Sequence, residues 1–348
     1  MTWMIYGANG YTGRLVAQAA VAGGLRPILA GRSEASLRPL AQELGLELRI
    51  FGLDKPEEVD RGLQGLRLVL HCAGPYSQTS APMAEGCLRQ RVHYLDITGE
   101  ISVFEALAAR NEAALAAGVM LLPGVGFDVV PTDCLAAMLA EALPGSKSLT
   151  LAIWTVGSSS PGTAKTMVEG LAEGSGLARI DGKIQEVPAA WVQREVPFPS
   201  RARHTVSIPW GDVSTAFYST GIPTITTLIA LPPSTARWMK LTPWLAPVLG
   251  MGPVQRALKA LVTRTIHGPD SSTRASGRCE VWGEVIHPDG RSLQGRFICS
   301  EGYTFTVSAS LAAVQHTLKA AKPGFQTPSR AFGTTFVEEV GVQGLKIG

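Results

Sequence analysis

Four apolar residues, Trp3–Tyr6, lead directly into Gly7-Ala8-Asn9-Gly10-Tyr11-Thr12-Gly13, and helical spacing follows from Thr12 to Ala22. Nothing else in the chain restricts its fold as much. A buried strand that turns at once into a helix brings the helix's unsatisfied N–H groups and its positive dipole end to the strand's carboxyl edge. In that setting Gly7 permits the tight turn, Gly10 lets a diphosphate approach the backbone, and Gly13 lets the helix pack on the strand. Ala8, Asn9, Tyr11 and Thr12 complete the cradle. The spacing G-x-x-G-x-x-G is one residue longer than G-x-G-x-x-G. Glycines also mark ordinary turns, so the strand–turn–helix context carries the expectation.

The same alternation continues. Apolar runs suited to buried parallel strands are Pro27–Ala30, Glu47–Phe51, Leu66–His71, His93–Ile97 and Val119–Leu122. Between them Ser33–Leu44, Pro56–Leu63, Ser80–Arg91 and Val103–Ala116 have helical spacing. Strands separated by such helices require crossover connections and a parallel sheet covered on both faces. Six units of this kind in about 125 residues predict an α/β fold that opens with a Rossmann-type, doubly wound parallel sheet over residues 1–135. At 348 residues, 45% of them apolar, the chain is long enough for a second core.

After Pro131 the pattern changes. Asp133–Ala142 is one more helix, and beyond Leu149 the chain is richer in Thr, Ser, Trp and Pro. Strands are expected at Ser148–Val156, Thr215–Ser219, Thr224–Ala230, Gly277–Ile286 and Ser292–Ser300, with His287-Pro288-Asp289-Gly290 as a hairpin turn. Thr163–Leu177 and Tyr303–Ala321 are expected as helices. The prediction is a second, α+β domain on a mixed or antiparallel sheet over residues 136–302, serving substrate binding or dimerisation. Residues 303–348 are expected to return to the first domain.

The second strand ends in Ala30-Gly31-Arg32-Ser33. An acid here would bind a ribose 2′-hydroxyl; Arg32, planar and always charged, suits a 2′-phosphate, and Ser33 adds a hydroxyl. NADP(H) is therefore expected over NAD(H), the plain alternative being a solvated strand-end Arg. Asp54 falls near the adenine edge or caps the next helix. After the fourth strand come His71-Cys72-Ala73-Gly74-Pro75-Tyr76-Ser77. There Ala73, Gly74 and Pro75 fix the backbone near the nicotinamide half of the ligand, and Tyr76 stacks on it or donates a proton. His71 suits a packed strand end better than catalysis. Asp96 ends the fifth strand and either faces the cleft or caps a helix. Asp128 follows the sixth in a Gly- and Pro-dense loop. Tyr76, Asp128 and Asp96 are the candidate proton donors on cleft position alone. No metal-ligand cluster is evident.

Taken together, Gly7–Gly13, Ala30–Ser33, Gly74-Pro75-Tyr76, Tyr94–Glu100 and Gly126-Phe127-Asp128 resemble the saccharopine dehydrogenase-like oxidoreductases, in particular the branch with trans-acting enoyl reductases. The resemblance covers the first 135 residues and continues more weakly in Trp282-Gly283, Gly290-Arg291, Gly302-Tyr303-Thr304 and Gly324–Pro328. It implies an NADP-binding Rossmann domain, a C-terminal α/β domain closing over the nicotinamide, and frequently a homodimer. One departure stands out: saccharopine reductases carry Asp-Pro-Gly where this chain has Asp128-Val129-Val130-Pro131. Arg201, Arg203, Arg264, Arg274 and Arg278 show no spacing that marks a carboxylate clamp. The saccharopine reaction itself is not carried over.

Lys+Arg number 31 and Asp+Glu 28, giving +3 without a basic stripe, so no nucleic-acid partner is expected. Five cysteines without a C-x-x-C pair fit a reducing, cytoplasmic compartment. A strand starting at Thr2 leaves no room for a signal peptide. Leu231–Thr265 mixes Trp, Leu and Met with Lys240, Arg256, Lys259 and Arg264. This fits a helix at a lipid surface or over an apolar tunnel, or alternatively a core-packed lid or dimer contact. Two functions follow as expectations. One is NADPH-dependent reduction of a polarised C=C or C=N bond in an apolar, lipid- or polyketide-like substrate. The other is a non-catalytic NADP(H)-binding protein with a lipid or protein interaction surface, favoured by the lack of a Tyr-x-x-x-Lys pair.

Overall fold

The structure is a computed structural model and describes residues 2–156, 160–170, 175–239, 242–266 and 268–348. Contacts divide the chain into two units, Met1–Val130 with Phe305–Phe336, and Pro131–Thr304 with Val337–Gly348.

In the first unit β1 (Trp3–Tyr6), β2 (Ile28–Gly31), β3 (Leu48–Ile50), β4 (Leu68–His71), β5 (His93–Asp96) and β6 (Met120–Leu122) form one parallel sheet in the order 3-2-1-4-5-6. The two-residue strand Gly324–Phe325 extends it beyond β6. The order reverses between β1 and β4, which opens a crevice at their carboxyl ends. β1, β2 and β4 are buried throughout, as a sheet covered on both faces requires. Helices Tyr11–Ala22, Glu34–Leu44 and Pro56–Leu63 fall where the spacing places them, and Gly45 closes the second in the left-handed conformation. The fourth helix begins at Tyr76 rather than Ser80, because a distant carboxylate described below holds its first amides. The expected Val103–Ala116 is two helices, Ile101–Ala108 and Asn111–Ala117. Arg110 at the break is drawn to Glu85 (2.6 Å).

The second unit contains helix Val130–Ala142 from its second residue on, then β7 (Ser148–Thr155), β8 (Gly176–Ile180), β9 (Lys183–Val187), β10 (Gln193–Pro197), β11 (Ala202–Ser207), β12 (Thr224–Ala230), β13 (Arg278–Ile286) and β14 (Ser292–Ser300). With Gly324–Phe325 as β15, the last strand is β16 (Val342–Ile347). The sheet order is β10-β11-β12-β7-β13-β14-β16; β12 and β7 are parallel and the other neighbours antiparallel. The hairpin between β13 and β14 turns through Gly290, at φ +91°. Gly283 and Gly295 face each other across it. A Cβ on them would lie 2.9 Å from Leu139 and 2.7 Å from Leu135, so the pair makes the flat seat on which helix Val130–Ala142 rests. On the opposite face Trp282 packs with Ala152, Val196, Phe198 and Leu228. Arg203 stacks 3.6 Å over the Trp154 ring and pairs with Glu280, so it is committed to this face and not to a ligand clamp.

Three expectations here need correction. Thr215–Ser219 is not a strand but the middle of helix Asp212–Thr220. Thr215, Ser219 and Thr220 turn their hydroxyls back onto the carbonyls four residues earlier, and Gly221 at φ +70° closes the helix. End signals and local hydrogen bonds thus override β propensity. The expected helix Thr163–Leu177 is Pro161–Gly170; residues 171–174 lie outside the described residues, and Gly176-Leu177 open β8. Finally, residues 303–348 do not all return to the first unit. Helix Gly302–Lys319 runs into it, but β16 pairs with β14 and covers an edge that would otherwise stand open.

Candidate functional site

β1 delivers the chain to Gly7, whose amide donates to the Ala30 carbonyl of β2 (2.7 Å) and whose φ is +84°. A Cβ on Gly7 would lie 2.8 Å from the Ala73 backbone nitrogen, and one on Gly13 would lie 2.4 Å from the Gly7 carbonyl oxygen. Both glycines are demanded by the protein's own packing. Gly10 differs. Its backbone is extended (φ −70°, ψ 165°), and a Cβ would meet only the Gly7 carbonyl at 3.2 Å and the Cys72 carbonyl at 3.9 Å. Nothing in the chain forbids a side chain there, and the bare backbone at Gly10 leaves the approach to the turn open. Asn9 and Gly10 are exposed, Tyr11 and Thr12 half-buried, and Ala8 buried. The helix that follows has no side-chain cap and no acid in its first turn, which leaves its dipole end to an anion.

On one side of the turn, Arg32 and Ser33 are exposed just beyond β2. Arg32 pairs with no carboxylate among the described residues, and the Ser33 hydroxyl caps no amide of helix Glu34–Leu44. Asp54 is exposed after β3 and is not the helix cap, a position taken by Lys55. Tyr6, which the apolar run concealed, donates its hydroxyl to the Phe51 carbonyl (3.1 Å) and so ties the end of β3 to β1. Burial pushes the Tyr6 phenol up to about 12, with Arg32 lowering it and Asp54 raising it. Tyr6 therefore lies within the electrostatic reach of both.

On the other side, β4 ends in His71 and the turn Cys72–Pro75, in which Gly74–Pro75 is cis. The Thr79 hydroxyl lies 2.6 Å from the Ala73 carbonyl and 3.0 Å from the Pro75 carbonyl, and so holds the turn. With its proton given to a carbonyl, Thr79 accepts from His71 Nε2 (3.0 Å), which fixes the ring tautomer. Burial takes His71 down to about 3, so it stays neutral. Tyr76 does not present a proton to a ligand. It is buried, its ring stands edge-on to His71, and its hydroxyl donates to the His71 carbonyl (3.3 Å). Burial holds the phenol well above its ordinary value.

Asp96 is likewise spent inside the fold. It is fully buried and accepts from the Tyr94 hydroxyl (2.6 Å) and from the Thr98 and Gly124 amides (3.0 and 2.9 Å). It thus staples the end of β5 to the loop after β6, and burial raises it to about 6 against those hydrogen bonds. The site also uses a carboxylate that the sequence does not reveal. Glu100 accepts from the Tyr76 and Ser77 amides (3.0 and 2.8 Å) and caps helix Tyr76–Gln90 from 24 residues away. Asp128 keeps the role of a candidate acid. It is half-buried beside Gly99, and burial raises it to about 6. Its loop is anchored by Phe127, whose amide donates to Thr306 Oγ1 (3.0 Å) and whose ring meets Phe305 edge-on.

Residues 3–122 match the family described as saccharopine dehydrogenase NADP binding domain. Over 247 residues the chain is 26% identical to the saccharopine dehydrogenase-like oxidoreductase of Bos taurus, covering 61% of this chain and 57% of that protein. Over 138 residues it is 28% identical to the trans-acting enoyl reductase of Mycobacterium tuberculosis, covering 37% and 33%. The chain thus spans about half or less of the length of these relatives. In fold it is similar to the apo saccharopine dehydrogenase (L-Glu forming) of Saccharomyces cerevisiae, with a TM-score of 0.64 and 13% identity over 100% of this chain and 99% of that one. The glycine turn, an Arg beyond β2 and the match across the whole parallel sheet agree. Over its first unit the chain is thus similar to the NADP-binding domain of the saccharopine dehydrogenase-like proteins.

Proposed function

We propose that this chain is an NADPH-dependent reductase acting on a polarised C=C or C=N bond of an apolar, lipid- or polyketide-like substrate. One observation carries the reading: a single unit combines a cradle left open for a diphosphate with a carboxyl, Asp128, whose proton is retained to about pH 6. Bound NADPH supplies hydride. The bare amides of Gly7–Gly13 hold the diphosphate, Arg32 and Ser33 hold the 2′-phosphate, and Ala73–Pro75 orient the reactive half. Asp128 holds the proton for the far end of the reduced bond and, at neutral pH, is about one-tenth protonated. The name of the mycobacterial relative favours C=C as the acceptor.

Oxidation of NADPH in the presence of lipid extracts and acyl thioesters tests the reading. Asp128→Asn is expected to slow turnover by about 10²- to 10⁴-fold while NADPH affinity stays unchanged. Unimpaired turnover in that variant overturns the role of Asp128. Stable NADPH binding with no turnover on any acceptor would instead favour a non-catalytic dinucleotide-binding protein.

A further inference from the structure

From Val213 to Pro269 the chain contains no Asp or Glu, where its average density of acids would place about five. The same stretch carries Arg237, Lys240, Arg256, Lys259 and Arg264. Within the second unit it forms helices Pro233–Met239, Thr242–Leu249 and Gly252–Thr265; Lys240 and Leu241 lie outside the described residues. The group is seated on its unit. Ala236 packs with Ala190 and Val206, and Gln255 Nε2 donates to the carbonyls of Val168 and Leu249 (3.0 and 2.8 Å), tying the last two helices to helix Pro161–Gly170.

Large apolar side chains stand exposed on and beside these helices. Trp238 is 72% exposed and Trp244 83%, and Val248, Met251, Leu261 and Met167 are each more than half exposed. On helix Gly252–Thr265 the outward positions recur at helical spacing, with Arg256 and Arg264 flanking Ala257, Ala260 and Leu261. Apolar exposure on this scale marks a contact surface. Its charge narrows the choice of partner: indole rings and aliphatic side chains among cations, with no acid, match a negatively charged apolar interface. Pairing two copies through this patch would set cation against cation, since a two-fold contact brings the same surface to itself. Among the described residues no helix is long and apolar enough to cross a membrane, so the fit is to lying on a bilayer.

We propose that the helices from Pro233 to Thr265 dock on an anionic lipid bilayer, with Trp238 and Trp244 entering the headgroup–acyl boundary and Arg256 and Arg264 contacting lipid phosphates. This surface does not depend on the redox chemistry of the first unit.

Co-sedimentation of the full chain with phosphatidylcholine vesicles, with and without phosphatidylglycerol, tests it. Binding is expected to be at least about tenfold tighter to the anionic vesicles and to weaken with salt. Trp238→Ser/Trp244→Ser should reduce it at least about tenfold, and Arg256→Gln/Arg264→Gln should remove most of the preference for phosphatidylglycerol. Far-ultraviolet circular dichroism and thermal melting, unchanged in both variants, report that they fold. Quenching of wild-type tryptophan emission by brominated lipid reads insertion without any variant. Equal binding to both vesicles, undiminished binding of the tryptophan variant, or no quenching overturns the proposal. So does concentration-dependent self-association that the tryptophan variant abolishes in the absence of vesicle binding, which would assign the patch to a second copy.

Discussion

Gly10→Ala separates ligand binding from folding at the phosphate cradle. The backbone at Gly10 suits any residue, and the new methyl would touch only the Gly7 carbonyl at 3.2 Å, a contact relieved by a few tenths of an ångström. The expected stability loss is below about 1 kcal/mol. The methyl nevertheless stands where a diphosphate must approach. Holding the ligand off by one methyl forfeits one or two charge-assisted N–H bonds, about 2–4 kcal/mol, hence a roughly 30- to 1,000-fold weaker NADPH affinity. Gly13→Ala behaves differently: its Cβ would fall 2.4 Å from the Gly7 oxygen, so the helix must shift, and both binding and stability drop. Calorimetric titration with NADPH, paired with thermal melting, reads both quantities. If Gly10→Ala binds NADPH normally, or loses binding only by melting as Gly13→Ala does, the assignment of the turn to a diphosphate is wrong.

Further outcomes follow from the same geometry. Arg32→Ala should weaken NADPH by about 1–3 kcal/mol, roughly 5- to 150-fold, and leave NADH nearly unchanged; equal losses in parallel titrations remove Arg32 from the 2′-phosphate. Glu100→Ala strips two amides of their acceptor and should cost about 2 kcal/mol, seen as a lower urea midpoint, whereas Glu100→Gln, which keeps one carbonyl acceptor, should recover part of it. Asp128 has a folded pKa raised from 3.8 to about 6, so the folded state binds its proton more tightly than the unfolded chain does. Its contribution therefore favours folding at acid pH and is lost as pH rises from about 4 to 6, by up to about 3 kcal/mol. Wild-type and Asp128→Asn urea midpoints compared at about pH 4.5 and about pH 7 should diverge in that sense; parallel profiles would remove the perturbed carboxyl.

The first unit was legible because its signals are local. A strand that is buried on both faces is a continuous apolar run, and the glycine turn shows in its spacing alone: Gly7 takes a positive φ and Gly13 packs on the Gly7 carbonyl six residues back, although the close approach of Ala73 to Gly7 comes from far along the chain. What escaped notice is settled at long range. Glu100 serves amides 24 positions back, Tyr6 hides its hydroxyl contact inside an apolar run, and Asp96 and Tyr76 stand at strand ends yet turn inward. In the second unit β10 reads Gln-Arg-Glu-Val-Pro, a polar sequence that becomes a strand because Arg194 lies over the Trp282 ring and pairs with Glu284 (2.9 Å). Neither partner is near it in sequence, so neither periodicity nor propensity could flag it.

The dinucleotide-binding unit is stitched from two remote pieces of chain. Gly324 and Gln326 donate to the carbonyls of Val119, just before β6, and Leu121 within it, Asn111 accepts from the Phe325 amide, and Thr306 accepts from that of Phe127. A shortened polypeptide ending near residue 135 would carry every segment of the proposed cradle and still leave the outer strand of its sheet bare, inviting aggregation along that border. During synthesis the unit must wait for Phe305–Phe336 before it can close, which makes its assembly slow and dependent on whatever shields that border in the interval.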